Sequence, residues 1–133
     1  KGACSICLAE TIGTCHPRDF AETLDAVSPA VEGVPVFLHI HNTFGMALLN
    51  VREALVRGFD RFDSAAGGLG GCPYAPGAAG NAATEDLVFY LNGLGIETRL
   101  DPLALVGVAR QMREWGLDTL GHLVKSRFGQ PTE

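Results

Sequence analysis

His39 and His41 lie two residues apart at the end of an apolar, β-branched run, and Asn42 follows directly. On a strand, residues i and i+2 point to the same face, so both imidazoles project together where the strand ends. Two neutral imidazoles on one face make half of a metal site. The same pattern also describes two unrelated histidines at a surface or in hydrogen bonds. A second feature is the stretch Gly67-Gly68-Leu69-Gly70-Gly71-Cys72-Pro73-Tyr74. Glycines just before a cysteine let backbone approach a ligand closely, and a thiol there can serve as general acid or base. As a plain connector, the stretch would carry Cys72 incidentally. It lacks the GK[ST] ending of a phosphate loop.

Gly80-Asn81 stands just before a helical stretch. From position alone Asn81 is expected to be the helix N-cap, and the competing reading is an oxygen donor to a metal. Cys4 and Cys7 have the spacing of a zinc half-site, but i and i+3 on a strand face opposite sides, and no second CxxC follows. They are expected to be buried core thiols. Cys15 and His16 sit at a strand exit, either bordering a site or as ordinary loop residues. His122 is expected to be a surface or packing residue near the end.

The elements that must hold these residues alternate. Residues 3–8 read as a strand, and residues 17–27 as a helix opened by Pro17, with Phe20, Leu24 and Val27 on one face. Residues 34–40 read as a second strand, and Gly45 opens a helix in which Leu48, Val51, Ala54 and Leu55 share a face. Residues 59–62 are a third, short strand. Residues 64–81 form a loop rich in Gly, Ala and Pro, whose length inside a compact domain points to function or disorder. Helices are expected over residues 82–92, with Leu87, Val88 and Leu91 inward, then from Pro102 to about residue 115, then over residues 119–127. Alternating strands and helices argue for parallel βα units, and their spacing suits a (β/α)8 barrel. Three strands alone would leave open sheet edges. The expectation from spacing is an α/β chain supplying three of the eight strands of a TIM barrel whose other half is not in this sequence.

Composition narrows the function. The 133 residues are 47% hydrophobic and 19% charged, enough for one modest core. A net charge of −5 leaves no basic footprint for nucleic acid or an anionic membrane. No apolar run reaches the length of a membrane span. Four cysteines without dense regular spacing suggest reduced thiols. The chain starts at Lys1 without an initiator Met, so the true start, with any targeting address, is expected upstream. Without an address, a bacterial chain of this kind is expected in the cytoplasm.

Several segments together resemble the 3-hydroxy-3-methylglutaryl-CoA lyases. They are Leu38-His39-Ile40-His41-Asn42-Thr43-Phe44-Gly45, Phe62-Asp63-Ser64, Gly68-Leu69-Gly70-Gly71-Cys72-Pro73-Tyr74-Ala75, Gly77-Ala78-Ala79-Gly80-Asn81, Ala83-Thr84-Glu85-Asp86 and Leu94-Gly95-Ile96. The HxH[DN] element is shared across a wider metallolyase superfamily, whereas GLGGCPYA is specific to the lyase branch. The resemblance implies that His39, His41 and Asn81 are ligands of a divalent cation, Mg2+ or Mn2+. It implies that Cys72 and Glu10 are catalytic, and that Thr11, Asn42, Gly70 and Gly71 bind substrate. The family's Asp-Thr pair appears here as Glu10-Thr11, one methylene longer at the acid. The resemblance also implies that residues 1–133 are the last three strands and C-terminal helices of the barrel, with the N-terminal half absent. A further Asp ligand and a catalytic Arg of the family belong to the first barrel strand, which this sequence lacks. The implied reaction is a retro-Claisen cleavage of 3-hydroxy-3-methylglutaryl-CoA, or a related 3-hydroxyacyl-CoA, to acetyl-CoA and acetoacetate. The implied partner is the acyl-CoA substrate, with a homodimer expected for the full-length enzyme. The competing readings are a related aldolase or Claisen-type synthase, and a barrel fragment inactive without its N-terminal half.

Overall fold

The computed structural model describes residues 2–71, 77 and 79–126. The chain divides into two compact units, Lys1–Asp63 with Cys72–Ala79, and Ser64–Gly71 with Gly80–Glu133.

The first unit is built on a three-stranded parallel sheet in the order β1 (Ile6–Glu10), β2 (Val36–Ile40), β3 (Phe62–Asp63). Between them run helices α1 (Pro17–Val27) and α2 (Ala47–Val56), which contact each other. Parallel strands need such crossover helices. α1 has the expected bounds: Pro17 enters its first turn without losing a needed donor, and Phe20 and Leu24 are buried. A 3-10 turn over Ser28–Val31, not foreseen, continues it. In β2, Val36, Leu38 and Ile40 are buried, while Phe37 and His39, on the other face, are half-buried. Arg57, at the end of α2, grips both oxygens of Asp25 on α1, at 2.7 and 3.0 Å, and Glu53 at 2.8 Å.

Pairing moved the bounds of all three strands, and β2 starts at Val36 rather than at residue 34. β1 begins later than expected because its register sets Ile6 opposite Val36 and Glu10 opposite Ile40, leaving residues 3–5 outside the ladder. β3 is Phe62–Asp63 rather than residues 59–62: Phe59 donates its N–H to Ala54 and closes α2, and only Phe62 and Asp63 reach Leu38 and His39. Cys4 and Cys7 are exposed free thiols, which corrects the expectation that they are buried.

The second unit holds a 3-10 turn at Ala66–Gly68, then α3 (Thr84–Gly93), α4 (Pro102–Glu114) and α5 (His122–Lys125). Leu87, Val88 and Leu91 of α3 face inward as expected. Val106, Ala109 and Val124 form a small core, with Leu123 against it. Asp101 caps α4 by accepting the Leu103 N–H at 2.9 Å. Asp86 of α3 accepts the N–H groups of His122 and Leu123, each at 2.7 Å, and so starts α5. That pins the last helix to His122–Lys125, later than residue 119, because Leu120 instead donates its N–H to Gly67. α3 also starts later than expected, since Ala83 is bridged to Ala65.

Candidate functional site

β2 carries His39 on its half-buried face, and His41 follows two residues on, its N–H held by the Glu10 carbonyl at 3.2 Å. Period-two geometry turns both rings the same way. Their Nε2 atoms stand 3.1 Å apart. Which of the two nitrogens would donate depends on the ring tautomers. His41 is 6% exposed. Burial, and after it the neighbouring His39, hold its pKa below the usual histidine value, with Glu10 opposing. A neutral imidazole is the form that binds a metal. Two nitrogens bound at about 2.1 Å in adjacent positions around an ion would stand roughly 3 Å apart. The observed spacing fits two ligands of one cation.

Asp63 faces His39 from the neighbouring strand, its Oδ2 4.0 Å from Nδ1. That is too long for a hydrogen bond, so the carboxylate faces the ring without holding its N–H. The Cys7 thiol donates to the same oxygen at 3.8 Å, and burial first, then Asp63, push the thiol pKa up. Asp63 was not singled out from sequence. Its position opposite His39 depends on the β2–β3 register, which no motif announces.

Glu10 ends β1. Its Oε1 accepts the N–H groups of Gly13 and Thr14 at 3.1 and 3.3 Å, and its Oε2 is buried without a protein partner. Gly13 in turn accepts the Phe44 N–H at 2.8 Å, so this carboxylate organises the turn beside the chain that follows His41. Asn42 accepts the Ala47 N–H at 3.0 Å through Oδ1, bracing the start of α2 and leaving its amide N–H groups for other partners. Thr11 is exposed at the strand exit.

In the second unit, Asn81 is not a helix cap: the N-cap of α3 is Ala83. Asn81 instead donates Nδ2–H to the Leu69 carbonyl at 2.8 Å, and its Oδ1 is buried without a partner. An orphaned acceptor is costly in a protein interior unless something occupies it, and an amide oxygen suits a hard cation. Gly70 (φ +121°) runs alongside, and Gly71 is exposed. Cys72, the proposed thiol, lies outside the described residues, as do residues 73–76 of the same stretch. His122 is a surface residue whose ring contacts Asp86 at 3.0 Å.

The first unit's donors therefore fit a divalent cation in part, with two nitrogens from His39 and His41. The second unit, taken by itself, presents one free amide oxygen at Asn81. Among the described residues, no three His, Cys, Asp or Glu side chains gather around one point.

Parallel βα units with a chemistry-bearing pair at the C-terminal end of a strand are the arrangement of part of a (β/α)8 barrel. Residues 1–112 match the HMGL-like family, and the chain belongs to it. It is 45% identical to the hydroxymethylglutaryl-CoA lyase of Pseudomonas mevalonii over 80% of this chain and 36% of that one. It is 40% identical to the (R)-citramalyl-CoA lyase of Chloroflexus aurantiacus over 97% of this chain and 39% of the relative. Among solved structures, the Bacillus subtilis HMG-CoA lyase superposes with a TM-score of 0.85 at 38% identity, covering 93% of this chain and 42% of that one. The Acinetobacter baumannii HMG-CoA lyase, solved with coenzyme A and 3-methylmalate, has a TM-score of 0.85 at 42% identity over 95% and 42%. The chain spans about two fifths of these relatives. No described helix is long and apolar enough to cross a membrane.

Proposed function

We propose that this chain supplies part of the active site of an acyl-CoA lyase that cleaves a carbon–carbon bond in 3-hydroxy-3-methylglutaryl-CoA or a close analogue. The observation that carries the reading is the 3.1 Å approach of the His39 and His41 Nε2 atoms, with burial lowering the His41 pKa. His39 and His41 would hold a divalent cation, Mg2+ or Mn2+, with Asn81 Oδ1 as the oxygen donor. When bound, such an ion lowers the pKa of a coordinated tertiary hydroxyl. Glu10 Oε2, left free by the Gly13 and Thr14 contacts, is the carboxylate available to take the hydroxyl proton. Carbon–carbon cleavage then gives a ketone and the enolate of acetyl-CoA, and Cys72 protonates that enolate. Thr11, Asn42 through its free amide N–H groups, and the backbone of Gly70 and Gly71 would orient the substrate. The resemblance of GLGGCPYA to the lyase branch supports the role of Cys72.

A second substrate reading is supported by the 40% identity to a (R)-citramalyl-CoA lyase across nearly the whole chain. Glu10, one methylene longer than the family's Asp, is the departure that would bear on the choice between the two. Turnover of the full-length protein with both acyl-CoA esters, with and without Mg2+ or Mn2+, decides between them. Cys72→Ala and His41→Ala should each abolish turnover. Normal turnover by Cys72→Ala would overturn the assignment of the thiol, and unaltered cation affinity in His41→Ala would overturn the metal site.

A further inference from the structure

Glu85 stands in the first turn of α3 and has no exposed surface. Acidic residues in a helix's first turn ordinarily face water and complement the helix dipole. This one points inward, and its Oε2 accepts the Gly67 N–H at 3.0 Å. The receiving end is shaped for that contact. Gly67 has φ +67°, a Cβ there would come within 2.8 Å of Thr119, and its carbonyl accepts the Leu120 N–H at 2.7 Å. Two residues further on, the Leu69 carbonyl takes the Asn81 Nδ2–H at 2.8 Å. Gly67, Leu69, Asn81 and Glu85 all belong to the second unit.

We infer that Glu85 is a positioning residue for Asn81: by holding the Gly67 N–H it sets the turn at residues 66–69, and the turn's Leu69 carbonyl locks the Asn81 amide with Oδ1 as the free atom. An amide rotated by half a turn would present N–H groups, which cannot bind a cation. The buried carboxyl therefore acts on the ligand through one hydrogen bond, three residues of backbone and a second hydrogen bond. The same carboxyl leaves Oε1 without a partner, and the Gly67 N–H is its contact with the turn. This inference rests on the proposed ligand role of Asn81.

The test uses the full-length protein and Mn2+ alone. Affinity is read by electron paramagnetic resonance, and amide exchange over residues 64–71 by mass spectrometry. Glu85→Leu should weaken Mn2+ binding about tenfold or more, the scale seen when a ligand's outer partner is removed, and should speed exchange in that segment. Glu85→Gln, which keeps an oxygen for the Gly67 N–H, should restore both. Where Glu85→Leu fails to fold, Gly67→Ala displaces the same turn with Glu85 intact and should weaken binding likewise. A melting temperature lowered with Mn2+ affinity unchanged would overturn the inference. Asn81→Ala separates the layers: if it weakens Mn2+ binding while Glu85→Leu and Gly67→Ala do not, only the positioning role fails. Unchanged binding in Asn81→Ala removes the ligand reading and, with it, this inference.

Discussion

A Cβ built on Gly70 would lie 2.6 Å from Nδ2 of Asn81, so a side chain at 70 and the present Asn81 amide exclude each other. Gly70 also adopts φ +121°, a conformation L side chains rarely enter. Gly70→Ala should therefore displace Asn81 while leaving the helices folded. The expected outcome is cation affinity reduced about tenfold with an unchanged circular dichroism spectrum. Titration with Mn2+ checks it, and wild-type affinity would show that the Asn81 amide is not a ligand.

Glu10 reaches the Gly13 and Thr14 N–H groups through its full length. Aspartate in the same place falls a methylene short. Glu10→Asp should lose about 1 kcal/mol of stability from the weakened contacts. It should also shift the kcat/KM ratio between 3-hydroxy-3-methylglutaryl-CoA and citramalyl-CoA. An unaltered ratio would mean that the extra methylene serves the turn alone.

Burial pushes the Glu85 carboxyl above its ordinary value of 4.5, outweighing the Glu85 and Gly67 N–H groups that pull it down. The folded chain thus binds this proton more tightly than the unfolded chain. Stability from the group is full below 4.5 and is lost as pH rises through the folded pKa. Glu85→Gln stays neutral and escapes that loss. Denaturant midpoints compared over roughly pH 4 to 8 should show the variant gaining on the wild type with rising pH, then levelling off. Parallel curves would contradict the upward shift.

Leu38 is fully buried at the centre of β2, the strand that pairs with both neighbours. Leu38→Ala removes three methylene equivalents from a site hemmed by two strands, where collapse is limited. The expected cost is about 2–5 kcal/mol, measured by urea unfolding of the full-length protein. A loss well below that range would show that the first unit repacks around the gap.

What was legible in the amino-acid order was mostly local. Pro17 and the Phe20–Leu24 spacing define α1, because helical periodicity and a missing N–H act within one turn of chain. The pairing of His39 and His41 follows from strand geometry alone, and the lyase resemblance rests on contiguous words such as GLGGCPYA. Asp101-Pro102 marks the start of α4 for the same local reason.

Tertiary structure decided the rest. Asn81 reads as a helix cap until the Ala65–Ala83 bridge takes the positions before α3 and leaves its amide to Leu69. Glu85 is buried in the first turn of α3 because Gly67, 18 residues earlier, donates to it in the interior. Asp63 comes to face His39 through strand register. Each of these relations joins residues distant in the chain, and contact energies between distant segments leave no periodic trace in either segment alone. The spacing of His39 and His41 thus gives their shared face from sequence. Which atom of Asn81 is free, and what holds it there, is settled by backbone that returns from elsewhere in the fold.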